Sequence, residues 1–138
     1  MTTNPRGTDM YAFTCDVALP FDEAVEKFKQ ALAAEKMGVV SEINVSHIMK
    51  AKLNADMPPY AILGACAPGL AKRVIDAEPN AGALLPCGVA AMALDANTTR
   101  FSFQDPETMA GVTDNAVMKA VAMEAKAMLL RVRDSLSK

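Results

Sequence analysis

The spacing of apolar residues along the chain predicts strands that alternate with helices. Short runs that are continuously apolar, or rich in β-branched and aromatic residues, are typical of strands. Runs of this kind lie at positions 10–17, 39–45, 60–67, 87–94 and 99–104. The run at 60–67 is the most continuously apolar, so we expect that strand to be buried on both faces. The last two runs flank a turn-forming segment and therefore predict a β-hairpin.

Between these runs, apolar residues recur at the three- and four-residue spacing of α-helices. One helix is predicted to begin at Pro20, where a missing N–H is tolerated, and to end at Gly38. A second is predicted to begin at Pro68 and to end before Pro79. The segment 46–56 fits either a short helix or a wide loop, and its pattern does not separate the two.

A long final helix is predicted from a cap at Thr113 or Asp114 to about Leu136. Its apolar residues form a face that is wider than packing against one sheet requires. The residues that widen this face are Met118, Ala122, Leu129 and Leu130. Because methionine also forms adaptable contact surfaces, we expect this Met-rich helix (114–136) to be a homodimer interface. The alternative is a helix buried deep within one chain.

The order of the predicted elements is β-α-β-β-α-β-β-α. This order predicts a single α+β domain over residues 10–138, with a four- or five-stranded mixed or antiparallel sheet, helices packed on it and a long C-terminal helix. A chain of 138 residues is long enough to bury a core without disulfides or a structural metal. Residues 1–9 are polar and contain Pro and Gly, so they are expected to form a flexible N-terminal tail.

Charge and composition argue against several classes of protein. The chain has 14 basic and 16 acidic residues, whereas a nucleic-acid-binding protein normally has a basic excess. The longest apolar runs are too short to span a membrane, and the N-terminus lacks the apolar segment of a secretion signal. Three cysteines at irregular spacing favour reduced thiols over a disulfide framework. We therefore expect a cytoplasmic protein without a nucleic-acid or membrane partner.

Two cysteines lie where an apolar run meets Pro or Gly, so each is expected at the end of an element. A helix beginning at Pro68 would place its positive end near Cys66 and lower the pKa of that thiol. The alternative is that Cys66 is a small buried residue at a strand–helix corner. In a simple β-α-β arrangement Cys87 would lie about 20 Å away, at the opposite edge of the sheet. The loop 78–86 is long enough to fold back and bring the two thiols together.

The only histidine, His47, lies in the ambiguous segment 46–56. A His47-x-Met49 pair together with Cys66 and Cys87 is a soft-ligand set suited to a soft metal such as Cu or Zn. His and Met also serve as axial haem ligands. The alternative is a surface or half-buried histidine that binds no metal. Cys15, inside the first predicted strand, is expected to pack in the core.

Residues 60–89 carry the pattern Y-x-I-L-G-A-C-x-P followed by L-L-P-C. The flanking motifs F-D-E-A-V, I-N-V and D-P-E-T-M agree with it, and together they resemble the domain-of-unknown-function family 302 (TT1751-like fold) over roughly residues 10–115. The resemblance implies a small α+β domain, typically a homodimer, with no settled biochemical activity. The position between Cys66 and Pro68 is usually Asn in that family, and here it is Ala67.

Three functional hypotheses follow from these features. The favoured one is a small cytoplasmic homodimer that binds a ligand, metal or haem near Cys66 and Cys87, with Pro68 and Pro86 beside the site, or at the dimer interface. The first alternative is a non-catalytic interaction module whose cysteines are structural. The second is a thiol-active protein that uses Cys66 as nucleophile or sulfur carrier and Cys87 as resolving thiol. An enzyme is least favoured, because no general base accompanies either thiol in the sequence.

Overall fold

The computed structural model describes residues 11–137, which form one antiparallel sheet with helices packed on it. The strands are β1 (Ala12–Val17), β2 (Gly38–Asn44), β3 (Tyr60–Cys66), β4 (Cys87–Asp95) and β5 (Thr98–Gln104). The helices are α1 (Phe21–Ala34), α2 (Val45–Leu53), α3 (Pro68–Ala77), α4 (Glu107–Ala110), α5 (Ala116–Leu136) and the 3₁₀ helix Pro79–Leu84. The α+β class, the sheet of five strands and the long C-terminal helix are confirmed. The expected tail 1–9 lies outside the described residues.

The strand order in the sheet is β1-β5-β4-β3-β2, and every neighbouring pair is antiparallel. The predicted hairpin of β4 and β5 is confirmed, with Val89 opposite Phe103 and Ala91 opposite Phe101.

In the described part of the chain, none of the helices has the length and apolar character needed to cross a bilayer.

Aromatic side chains form the centre of the core between the sheet and α1. Phe28 of α1 stacks on Phe101 of β5 with ring centroids 5.0 Å apart, and it meets Phe103 edge-on at 6.0 Å. Phe13 of β1 stacks on Phe103 with a centroid distance of 5.3 Å. Each aromatic pair in such a geometry adds about 0.5–1.5 kcal/mol beyond its buried area. These contacts therefore hold β1, β5 and α1 together.

The ambiguous segment 46–56 proves to be largely helical, because both ends of α2 are capped. The Asn44 side chain accepts a hydrogen bond from the backbone N–H of His47 at 3.1 Å and begins the helix. Asn54 ends it in the left-handed conformation, with φ of 51°. No residue of α2 is fully buried, so its apolar periodicity was weak.

The cap of helix α5 lies one residue after Asp114 and two after Thr113, the two predicted caps. Asn115, not Thr113 or Asp114, is the N-cap, and its side chain accepts hydrogen bonds from the N–H groups of Val117 and Met118. The Thr113 hydroxyl instead accepts a hydrogen bond from the Asn115 N–H at 3.0 Å. Several residues able to cap a helix lie side by side here, and the turn made by Thr113 selects the last of them.

The apolar face of α5 is largely used within the chain. Three of the residues expected to widen it, Met118, Ala122 and Leu129, are 2%, 0% and 0% exposed. The alternative of a helix buried deep within one chain therefore holds for these residues, and the homodimer interface stays a prediction. The helix packs against α1, α3, α4 and β1 in addition to the sheet core, which explains the width of its apolar face.

Strand β3 is buried on one face, so the prediction of burial on both faces was wrong. Ala61, Leu63 and Ala65 point toward the helices and are at most 5% exposed, whereas Ile62 points the other way and is 40% exposed. Ile62 lies opposite Ile43 of β2, which is 45% exposed. We call the sheet surface that carries Ile43 and Ile62 the outer face. Helices cover only the opposite face, as is common in antiparallel sheets.

The connection between β3 and β4 returns the chain to the edge where it left the sheet. Helix α3 runs away from the end of β3, and the 3₁₀ helix Pro79–Leu84 packs against α3 on the way back. Strand β4 therefore begins beside the end of β3, with Cys87 opposite Ala65. The simple β-α-β arrangement with thiols about 20 Å apart was wrong, and the fold-back alternative is what the chain adopts.

Candidate functional site

An apolar cavity with a volume of about 40 Å³ lies at the edge of the sheet where β3 ends and β4 begins. Its wall combines both strand ends with residues of α3, the 3₁₀ helix, α4 and α5. Cys66 and Cys87 both line it. The two cysteines singled out by the sequence therefore lie at one site, each at the end of a strand as expected.

Cys87 is the first residue of β4, and its surroundings hold it in place. The Gly88 N–H donates a hydrogen bond to the Gln104 side chain of β5 at 3.1 Å, which fixes the start of β4. Burial raises the pKa of the Cys87 thiol, and the charge of Cys66 raises it further. Cys66 is thus close enough to affect the ionisation of Cys87.

Cys66 is the last residue of β3, and α3 begins two residues later. Ala67 occupies the N-cap of α3 and provides no side-chain hydrogen bond to the first turn. An Asn at this position would supply such a cap. Burial raises the pKa of the Cys66 thiol. This direction is opposite to the one that the activated-thiol hypothesis requires.

The two prolines beside the thiols have different positions. Pro86 lines the cavity, after a cis Leu85–Pro86 peptide bond. It lies against Gly64 of β3, where an added Cβ would be 2.5 Å from the Pro86 Cγ and 2.3 Å from the Ser41 Oγ. Only glycine allows this approach. Pro68 is exposed and begins α3, but it does not line the cavity.

His47 lies far from the thiols, so the expected metal set of His47, Cys66 and Cys87 was wrong. Cys66 pairs with Gly38 at the start of β2, whereas His47 follows Asn44 at the end of that strand. The length of β2 separates the two positions by about 20 Å. Among residues 11–137, no group of three or more His, Cys, Asp and Glu side chains is arranged to hold a metal ion.

Two methionines that the sequence reasoning did not assign to the site also line the cavity. Met37 directly precedes β2, whose first residue pairs with Cys66, and Met109 lies on α4. A correct β2–β3 register would have placed Met37 beside Cys66. Met109 belongs to the D-P-E-T-M motif that matched the family, but nothing local to that motif indicates that α4 folds over the cavity.

An ionic cluster around the buried Asp105 holds α4 in position beside the cavity. Asp105 is 0% exposed, and its carboxylate accepts a hydrogen bond from the Glu107 N–H at 3.0 Å. The Lys126 ammonium of α5 donates to the Asp105 carboxylate at 3.3 Å and also to Glu107. These contacts connect the start of α4 to α5. Met109 of α4 is therefore held beside the cavity by charged residues that do not line it.

The fold and the sequence together define the class of this protein. The profile of the family described as "Domain of unknown function DUF302" matches residues 13–136, so the chain belongs to that family. The crystal structure of an uncharacterized conserved DUF302 protein from Bacillus stearothermophilus is similar, with a TM-score of 0.83 and 25% sequence identity. The match covers 92% of this chain and 98% of the other. No curated protein matches the chain.

Proposed function

We propose that this chain is a small binding protein that holds a soft metal ion or another small ligand in the cavity beside Cys66 and Cys87. The observation that carries the proposal is the meeting of both thiols at one apolar cavity. The chain returns through the 3₁₀ helix Pro79–Leu84 to make that meeting. A purely structural role for the cysteines would not require both of them to line one cavity.

The size of the cavity favours a small occupant. Its volume of about 40 Å³ exceeds the space that one water molecule needs. Pockets for organic ligands and cofactors are usually about 300–1,000 Å³. A single metal ion is small enough for a cavity of this volume, whereas haem is far too large for it. Among the alternatives left by the sequence, a soft metal therefore ranks above haem.

The lining favours binding over catalysis. Of the cavity-lining side chains within residues 11–137, only Gln104 and the two thiols are polar. The Gln104 carbonyl is engaged by the Gly88 N–H, and an amide does not act as a general base. Both thiols have raised pKa values and thus little thiolate at neutral pH in the free protein. A ligand that displaces their protons suits this chemistry better than a thiol nucleophile does.

Native mass spectrometry of the purified chain, with thermal unfolding in Zn(II), Cu(I) or haemin, tests the proposal. A ligand at about 100 times its Kd stabilises the fold by about 2.7 kcal/mol, so Tm should rise by several degrees with a soft ion. The effect should disappear in Cys66→Ser and Cys87→Ser and persist in Cys15→Ser. Wild-type protein that binds none of the three probes would contradict the proposal. Binding of haemin alone would contradict the small occupant.

We also propose that the chain is a homodimer, with the outer face of the sheet as the contact. The support is the cross-strand pair Ile43 and Ile62, which leaves two large apolar side chains partly exposed on neighbouring strands. Helix 114–136 is the competing surface, through exposed Met123. Light scattering of Ile62→Lys and Met123→Lys separates the two. Loss of the dimer in Ile62→Lys alone is expected, and a wild-type monomer at all concentrations overturns the proposal.

The proposed compartment is the cytoplasm. All three cysteines are free thiols in the structure. Cysteines that stay reduced are typical of a reducing compartment such as the cytoplasm. Alkylation of intact cells before lysis should label all three residues. Recovery of the chain with oxidised cysteines would contradict this assignment.

A further inference from the structure

Four sulfur-bearing side chains from separate parts of the chain line the same cavity. Cys66 ends β3 and Cys87 begins β4. Met37 lies between α1 and β2, and Met109 lies on α4. Met37 is only 6% exposed, so its thioether is directed into the protein and not into solvent. The other lining residues are apolar apart from Gln104.

We propose that this cavity binds one Cu(I) ion through the thiolates of Cys66 and Cys87, with the thioethers of Met37 and Met109 as further ligands. The inference rests on the proposed function and names its ligand. On binding, each thiol loses its proton to solvent and forms a copper–sulfur bond. The oxidation state of the copper does not change.

The donor set selects Cu(I) over other common metals. Thiolate and thioether sulfur are soft ligands that favour Cu(I), whereas carboxylate and carbonyl oxygen suit Mg, Ca and Mn. Structural zinc sites normally use four Cys or His ligands. This cavity offers two cysteines and two methionines, and among its described lining residues there is no histidine or carboxylate. Methionine sulfur adds little for zinc but is a useful ligand for Cu(I).

The charge of the complex suits its position. Two thiolates and one Cu(I) leave a single negative charge, which burial would penalise. Helix α3 begins at Pro68, two residues after Cys66, and the positive end of its dipole lies toward the site. Because Ala67 supplies no capping side chain, no carboxylate or amide oxygen already occupies that end of the helix. The uncapped start of α3 therefore partly offsets the remaining charge.

Anaerobic titration of the full chain with Cu(I), in competition with a coloured Cu(I) chelator, tests the proposal. We expect one Cu(I) per chain and an X-ray absorption spectrum with sulfur as the only first-shell ligand. Cys66→Ser and Cys87→Ser should each lower the Cu(I) affinity by more than about 100-fold. Loss of a residue that only supports a metal ligand lowers affinity by about 10- to 100-fold, and loss of a ligand itself should cost more. Met37→Leu and Met109→Leu keep the side-chain volume and should weaken binding by about tenfold or more.

The controls use residues of the same types outside the cavity. Cys15→Ser, Met123→Leu and His47→Ala should leave the Cu(I) affinity unchanged, and circular dichroism verifies that each variant folds. Binding of Zn(II) or another small ligand at the thiols without Cu(I) binding would overturn the copper assignment and leave the proposed function standing. Binding of no probe would overturn both. A Cu(I) affinity that is the same in wild type, Met37→Leu and Met109→Leu would contradict the four-sulfur site.

Discussion

At the scale of single residues, the site depends on a glycine that contacts no ligand. Gly64 of β3 lies against Pro86 on the outer face of the sheet. A Cβ at Gly64 would come within 2.5 Å of the Pro86 ring. Pro86 in turn sets the position of Cys87, the next residue along the chain. Space for the proline at Gly64 is therefore part of what places the second thiol.

Gly64→Ala should lower the free energy of unfolding by about 1–3 kcal/mol, because the added methyl must displace Pro86 or Ser41. Gly88→Ala is the matched control, since Gly88 lies directly opposite on β4 and a Cβ there meets nothing within 4 Å. Urea unfolding of both variants measures the difference. Equal stability of the two alanine variants would show that the close approach is not real.

Cys15 gives a pH-dependent prediction at the same scale. Burial raises its pKa from 9.0 to about 11, and the neighbouring Asp16 adds to the shift. Of the other charged groups nearby, Asp134 raises this pKa, whereas Lys27 and Arg133 lower it. Because the folded state favours the protonated thiol, its contribution to stability is complete below about pH 9 and is lost as the pH rises toward 11.

Cys15→Ala should therefore be less sensitive to alkaline pH than the wild type. We expect the stability gap between wild type and variant to narrow by up to about 2 kcal/mol between pH 8 and pH 11, at 1.36 kcal/mol per pKa unit. Denaturant unfolding at several pH values measures this gap. A gap that stays constant across the range would mean that Cys15 has an ordinary pKa in the folded protein.

At the scale of elements, the starts of α2 and α5 are decided by single capping side chains. Replacing Asn115 by Ala removes the acceptor for two N–H groups at the start of α5, so stability should fall by about 1 kcal/mol. Asp114→Ala, at the cap position that the sequence suggested, should change stability by much less. Thermal unfolding of the two variants distinguishes the caps. A larger loss for Asp114→Ala would contradict the observed helix start.

Local patterns predicted most of the elements, and the reasons for the exceptions are physical. Elements with strong periodicity, such as α1 and β5, follow from the sequence because each buries one regular face. Helix α2 buries no residue completely, so its pattern was weak and its caps decide the structure. The wide apolar face of α5 was predicted, but the elements that cover it were not, because packing against several helices cannot be read from one helix.

At the scale of the whole molecule, the site depends on contacts between distant segments. The sequence identified Cys66 and Cys87 because each lies beside a Pro or Gly at the end of an apolar run. It did not establish that they meet, since this depends on the return of the chain through the 3₁₀ helix Pro79–Leu84. Met37 and Met109 were missed because their positions beside the cavity also depend on contacts between distant segments. His47 was included because the sequence does not show that it lies at the opposite end of β2 from Cys66.

The central claim is that Cys66 and Cys87 form one binding site. Mass spectrometry of each cysteine after timed alkylation, with and without one equivalent of a soft ion, Cu(I) or Zn(II), under anaerobic conditions, tests it most directly. The account predicts that the ion slows alkylation of Cys66 and Cys87 together and leaves the rate at Cys15 unchanged. Protection of only one of the two, or of neither, would contradict the claim.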